Sequence, residues 1–168
     1  MPYARNTLVN RARTATAVLA LTTLAPGALA TGAEAASAGT AGASRAELRS
    51  DVVASVNKIR AQHGCKRQLK VGKGLIKAAQ RHADDMSRKG YFSHTSKDGR
   101  SWVTRIRVAG WKQPAGENIA RGYDNAAEVM TGWMNSPSHR RNIVDCKFRC
   151  IGVGYTAAGG YWVQDFGY

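Results

Sequence analysis

Four side chains in this sequence stand in settings suited to chemistry. Glu117 lies in "GENIA" (116–120), between a glycine and an asparagine and close to the apolar Ile119. A glutamate so placed either tethers backbone N–H groups, partners a metal site or works as an acid. His94 lies in the polar segment "SHTSKDG" (93–99), and His139 follows Pro137 and Ser138 at a helix start. Two imidazoles are good ligands for zinc or a similar divalent cation. A catalytic zinc generally takes three protein ligands, so Glu117 would be either the third ligand or the group that orients an imidazole. Ser136 stands three residues before His139, within reach on one helical turn. Serine hydrolysis would also need an orienting acid and an oxyanion site. His63 and His82 belong to helical patterns and read as structural. The sequence contains neither a Gly-x-Ser-x-Gly elbow nor a glycine-rich phosphate loop ahead of a helix.

Elements of both kinds must position these residues. "SRAELRSDVVASVNKIRAQHG" (44–64) opens with Ser44 and Glu47 in capping-box spacing and repeats Leu48, Val52, Val56 and Ile59 every three or four residues. "KGLIKAAQRHADDMSRKG" (73–90) does the same with Leu75, Ala79, Ala83 and Met86, and stops at Gly90. Shorter helices are predicted over 100–111, on Trp102 and Ile106, and over 125–136, on Val129, Met130 and Trp133. "RCIGVGYT" (149–156) and "YWVQDFGY" (161–168) alternate like strands, joined by the hairpin "AAGG" (157–160). An extended segment at 112–119 would pair with them. The glycines of "IGVG" (151–154) clear one strand face, so a helix can approach it closely. Helices first and strands late read as an α+β fold, an antiparallel sheet covered by helices.

The first third of the chain differs. Arg5, Arg11 and Arg13 precede the uncharged "TATAVLALTTLA" (14–25), Pro26 and Gly27, and a small-residue "ALA" (28–30). That order predicts a signal peptide over 1–30. Its apolar run is shorter than the roughly 20 residues of a membrane helix, so the mature protein is expected to have no transmembrane segment. Residues 31–44 carry no large apolar residue and read as a flexible Ala/Gly-rich linker. The folded domain is then 45–168, long enough for one core.

The chain carries 25 Lys+Arg against 11 Asp+Glu, a net +14, and +11 once the three leader arginines are removed. That excess favours polyanions, including anionic lipid and acidic cell-envelope polymers. The cations are scattered, in "KR" (66–67), "RRN" (140–142) and "KFR" (147–149), and form no nucleic-acid motif. Three cysteines leave one over in an exported chain. Cys146–Cys150 would close a very small ring, and Cys150 begins a strand, where such a bridge reaches badly. The expected disulfide is Cys65–Cys146, with Cys150 a free, buried thiol.

With these elements in place the chain resembles the CAP superfamily (cysteine-rich secretory proteins, antigen 5 and pathogenesis-related 1 proteins), in its bacterial SCP-type branch. The resemblance rests on "YFSHTSKDG" (91–99), "GENIA" (116–120), "GWMNSPSHRRNIVD" (132–145) and "IGVGY" (151–155), in the family's order, with "YWVQDFG" (161–167) as its last strand. It implies a three-layer α-β-α sandwich with a central antiparallel sheet and a wide cleft. It also implies a tetrad of two histidines and two acids, matched here by His94, Glu117 and His139. The second acid usually stands in a Trp-x-x-Glu setting. Here "MNS" follows Trp133, so Ser136 replaces that glutamate. Glu128, one to two turns earlier, reads as a first-turn acid favoured by the helix dipole. The resemblance further implies lipid or sterol binding in some relatives and proteolysis in very few. The reading is therefore a secreted binding or effector module, extracellular or associated with the cell envelope, whose His/Glu cleft takes a divalent metal or a lipid-like ligand. The alternatives are a metal-dependent hydrolase using His94, Glu117 and His139, and a polyanion-binding envelope protein.

Overall fold

The computed structural model describes residues 43–168. The expected leader (1–30) and linker residues 31–42 lie outside the described residues. Helix α1 (Arg45–Gln62) starts at a capping box: Ser44 Oγ accepts from the Glu47 N–H at 3.2 Å and Glu47 Oε2 accepts from the Ser44 N–H at 2.6 Å. Strand β1 (Lys70–Val71) leads into α2 (Lys73–Lys89), which Gly90 ends in the left-handed region at φ 62°. Then come α3 (Trp102–Val108), β2 (Pro114–Ala120), α4 (Ala126–Asn135), α5 (Pro137–Val144), β3 (Cys150–Thr156) and β4 (Tyr161–Gly167).

The four strands form one sheet in the order β1-β3-β4-β2. The β3–β4 and β4–β2 pairs are antiparallel, as expected, but β1 pairs with β3 in parallel, so the sheet is mixed. The two exposed residues of β1 carry no alternating pattern that would announce a strand. The helix expected over 125–136 gives way at Ser136, which ends α4 and begins α5 in extended conformation, and Pro137 opens the second helix.

The fold is the expected three-layer α-β-α sandwich. On one face Val52, Val56 and Trp133 of α1 and α4 pack on Ile151, Val153, Trp162 and Phe166. On the other, Ala79 and Ala83 of α2 pack on Ile119 and Val163. Here Gly152 and Gly154 let backbone meet backbone. A Cβ on Gly152 would lie 2.2 Å from the Ile76 nitrogen, and one on Gly154 would lie 2.4 Å from the Ala79 carbonyl carbon. Cys65 and Cys146, 81 residues apart, form the expected disulfide with their Cα atoms 5.1 Å apart, and Cys150 is free. A loop of that size gives a chain-entropy stabilisation of about 4–5 kcal/mol.

Candidate functional site

β2 is an edge strand, and "GENIA" forms most of it. Successive residues of a strand point to opposite faces, and two adjacent residues use this to hold the two histidine segments from either side. Glu117 points toward α2 and α3. Its Oε1 accepts from His94 Nδ1 at 2.7 Å and its Oε2 accepts from Arg105 Nη2 at 2.5 Å. Arg105 of α3 donates through Nη1 to the His94 carbonyl at 2.8 Å, the Arg100 carbonyl at 3.1 Å and Ser96 Oγ at 3.2 Å. One buried guanidinium thus fastens the His94 loop to the sheet. His82 supports the same loop, its Nε2 lying 2.8 Å from the Ser93 carbonyl.

Asn118 points the other way. Its Nδ2 donates to the His139 carbonyl at 3.2 Å and to Gln164 Oε1 at 2.9 Å. Its Oδ1 accepts from Asn142 Nδ2 at 2.8 Å, and the same amide lies 3.3 Å from the Glu117 carbonyl. α5, which carries His139, is thereby tied to β2 by an amide ladder. A structural Glu117 was expected to accept backbone N–H groups. It instead accepts from two side chains, an imidazole and a guanidinium.

The His94 ring gives its Nδ1 hydrogen to a carboxylate, which in the neutral ring leaves Nε2 with a free lone pair. Its side chain is half exposed. Burial, and then the neighbouring His94, hold the His139 imidazole below its usual pKa. Beside it lies a hollow of about 270 Å3 walled by Phe92, Ile119, Tyr123, Trp133, Ser136 and His139. Phe92 is half exposed at its rim. Ser136 Oγ bonds Ser138 Oγ at 3.2 Å rather than an imidazole.

As a metal centre the donor set falls short. Among the described residues no group of three or more His, Cys, Asp or Glu is placed to hold an ion. Both Glu117 oxygens are engaged, and Ser136 offers no carboxylate. Two imidazoles without a third protein ligand do not make the usual catalytic zinc site.

Two residues of this site were not singled out in the sequence. Arg105 sits in "TRIRV", which reads as a helix with a charged face, yet it is buried. Asp165 stands opposite Glu117 in the β2–β4 register and is buried with it. Burial first, then the Glu117 charge, push its carboxyl well above the usual range. A charged residue at a strand position facing a helix layer is a signal that could have found it.

An α-β-α sandwich whose edge strand holds a loop histidine through a glutamate defines the class. The chain belongs to the cysteine-rich secretory protein (CAP) family, whose match spans residues 53–166. It is 40% identical over 116 residues to the uncharacterized protein YkwD of Bacillus subtilis (strain 168), covering 68% of this chain and 45% of that protein. It is 34% identical over 111 residues to the uncharacterized membrane protein YlbC of the same organism, covering 66% of this chain and 31% of the relative. The chain thus spans less than half the length of these curated relatives. Among solved structures it resembles an extracellular protein containing a SCP domain from Bacillus anthracis str. Ames, at 27% identity and TM-score 0.68, covering 73% of this chain and 41% of that one. An outer surface protein from Borrelia burgdorferi shares the fold at 22% identity and TM-score 0.61, covering 69% of this chain and 88% of that one.

Proposed function

We propose that the protein acts outside the cell as a binding module that takes part of an amphipathic, lipid-like ligand in the hollow beside His139. The observation that carries this reading is the wall composition. Phe92, Ile119, Tyr123 and Trp133 supply apolar surface, while His139, Ser136 and the cationic Arg121 supply polar ends. Apolar walls with a few placed polar groups are the usual make-up of a small-molecule site. At about 270 Å3 the hollow suits one end of a ligand rather than a whole sterol. Extracellular action is supported by the description of the Bacillus anthracis structure as an extracellular protein and of the Borrelia burgdorferi structure as an outer surface protein. The leader expected over residues 1–30 agrees with that placement. Hydrolysis draws no support from a two-imidazole cleft or from a Ser136 hydroxyl bonded to Ser138.

The test is titration of the full chain with a fluorescent fatty acid and a fluorescent sterol, beside Phe92→Ala and His139→Ala. Saturable binding weakened at least several-fold by Phe92→Ala is the expected result. Binding of neither probe, or binding indifferent to both substitutions, would reject the hollow as the site.

A further inference from the structure

The fold gathers basic residues that are scattered in the sequence. Cys65 and Cys146 are bonded, and each is followed at once by a basic run, "KRQLK" (66–70) after the first and "KFR" (147–149) after the second. At their far ends the two runs meet again in the parallel pairing of β1 and β3, where Lys70 stands beside Cys150. They are therefore fastened side by side at both ends. Lys66, Arg67, Lys70, Lys147 and Arg149 are all exposed.

A groove of about 650 Å3 lies along this junction, and its wall includes Arg67, Lys70 and Arg149 and no carboxylate. Arg149 is held by carbonyl oxygens, at 2.6 Å from Cys146 and 3.3 Å from Phe148, and not by an acid. Beneath the same loop the buried Arg60 donates to the carbonyls of Ile143, Asp145 and Phe148, placing a sixth cation under the surface. Asp145 is the acid of this loop. It is half-buried, and its Oδ1 accepts the Lys147 N–H at 2.9 Å.

We propose that this disulfide-tied basic groove docks a linear polyanion, a polymer carrying a phosphate on each repeat without bases or acyl chains. The cations do not converge on one point, as they would around a single ion. They follow two parallel segments, and five extended residues reach up to about 16 Å at ~3.3 Å each, which suits successive charges along a chain. No aromatic ring lines the groove, so nucleic-acid bases find nothing to stack on. Leu69, its one large apolar residue, is buried and offers acyl chains no foothold. The groove shares no residue with the hollow beside His139, so the proposal stands independently of the lipid reading.

The test measures binding of the full chain to long-chain inorganic polyphosphate from about 50 to 200 mM salt. Arg67→Gln/Lys70→Gln/Arg149→Gln, which removes the three cations of the groove wall, is compared with Lys77→Gln/Arg81→Gln/Arg88→Gln, which removes three exposed cations from α2. Circular dichroism confirms that both variants fold. The groove variant is expected to lose tenfold or more at the lowest salt. Its slope of log affinity against log salt should flatten by about two, at ~0.7 per lost contact on a single-stranded polymer. The α2 variant should stay within about threefold of wild type. Equal losses in both variants would mean that net charge alone binds, and would overturn the proposal. So would tighter binding to a thymidine oligonucleotide, or to vesicles of phosphatidylcholine and phosphatidylglycerol at 3:1, than to polyphosphate at equal phosphate concentration.

Discussion

Glu117 and Asp165 stand directly opposite each other on β2 and β4, both buried, with one guanidinium, that of Arg105, bonded to Glu117. Two ionised carboxylates beside one guanidinium would leave a net negative charge among buried groups. Asp165 Oδ1 has no hydrogen-bond partner. Burial, reinforced by Glu117, keeps Asp165 protonated well above the ordinary range, and its hydrogen is available to Glu117.

Asp165→Asn should therefore fold and gain on the wild type as pH rises. The unfolded Asp165 loses its proton near pH 4, while the folded residue keeps it to a much higher pH. Between those two values the folded state binds the extra proton, so wild-type stability falls with rising pH, and the asparagine variant lacks this loss. His82, held below its usual pKa by burial and then by Arg105, acts in the opposite sense below about pH 6.5, but equally in both proteins. Urea unfolding of the pair at pH 4, 5, 6 and 7 is the measurement. A stability difference that does not change with pH would show that Asp165 titrates normally.

Glu117→Gln should be costly because it strands Arg105. Removing one partner of a buried ion pair typically costs about 3–5 kcal/mol, and here both side chains are almost fully enclosed. Arg105→Ala alone should cost a similar amount. The double variant should lose clearly less than the sum, since neither charge is then left unpaired. Additive losses in denaturant unfolding would mean that the two residues act separately.

Zinc should bind only weakly. His94 and His139 supply two ligands, and Glu117 acts on His94 through Nδ1 rather than on the ion. Calorimetric titration is expected to show micromolar affinity at best, nearly lost in His94→Ala or His139→Ala. Affinity should fall as pH drops below about 6.5, where imidazoles protonate. His139, whose pKa lies below the usual value, keeps its lone pair somewhat further into acid. Nanomolar binding that survives either substitution would place the ion elsewhere.

Gly152→Ala should destabilise the domain by about 1–3 kcal/mol or more, the range for overpacked cores. Its new methyl would meet the backbone of Leu75 and Ile76, which cannot turn aside as a side chain would. Ala substitution at the exposed Ser50 serves as the control. Equal thermal stability of both variants would show that α2 can lift from the sheet without cost.

Much of this molecule can be read from local patterns. The period of Leu48, Val52 and Val56 gives α1, because one face of that helix is buried and the other is not, while Ile151, Val153 and Tyr155 alternating with glycines give β3, whose two faces are both covered. Gly90 marks the end of α2 by the same local logic. β1 carries no such signature: two exposed residues become a strand only because β3 lies beside them. Arg105 and Asp165 escape for a related reason. A charged residue in a helix or strand normally faces water, and nothing adjacent in sequence tells that these two meet Glu117 in the interior. The basic groove is likewise a product of assembly, since residues 66–70 and 147–149 become neighbours only across the disulfide.

β4 is the last described element in the chain, yet it lies in the middle of the sheet, between β3 and β2. Until residues 161–167 arrive, β2 has no partner and Glu117 has no Asp165 opposite it. Such long-range pairings form late and slowly. During that interval Cys65 can meet either of two thiols only four residues apart, Cys146 and Cys150. Docking of β3 between β1 and β4 draws Cys150 in among Leu75 and Trp111 and leaves Cys146 as the accessible partner. In a molecule shortened before residue 161, Cys150 would lose its pairing with β4, and non-reducing peptide mapping is expected to find Cys65 bonded to Cys150 as well as to Cys146.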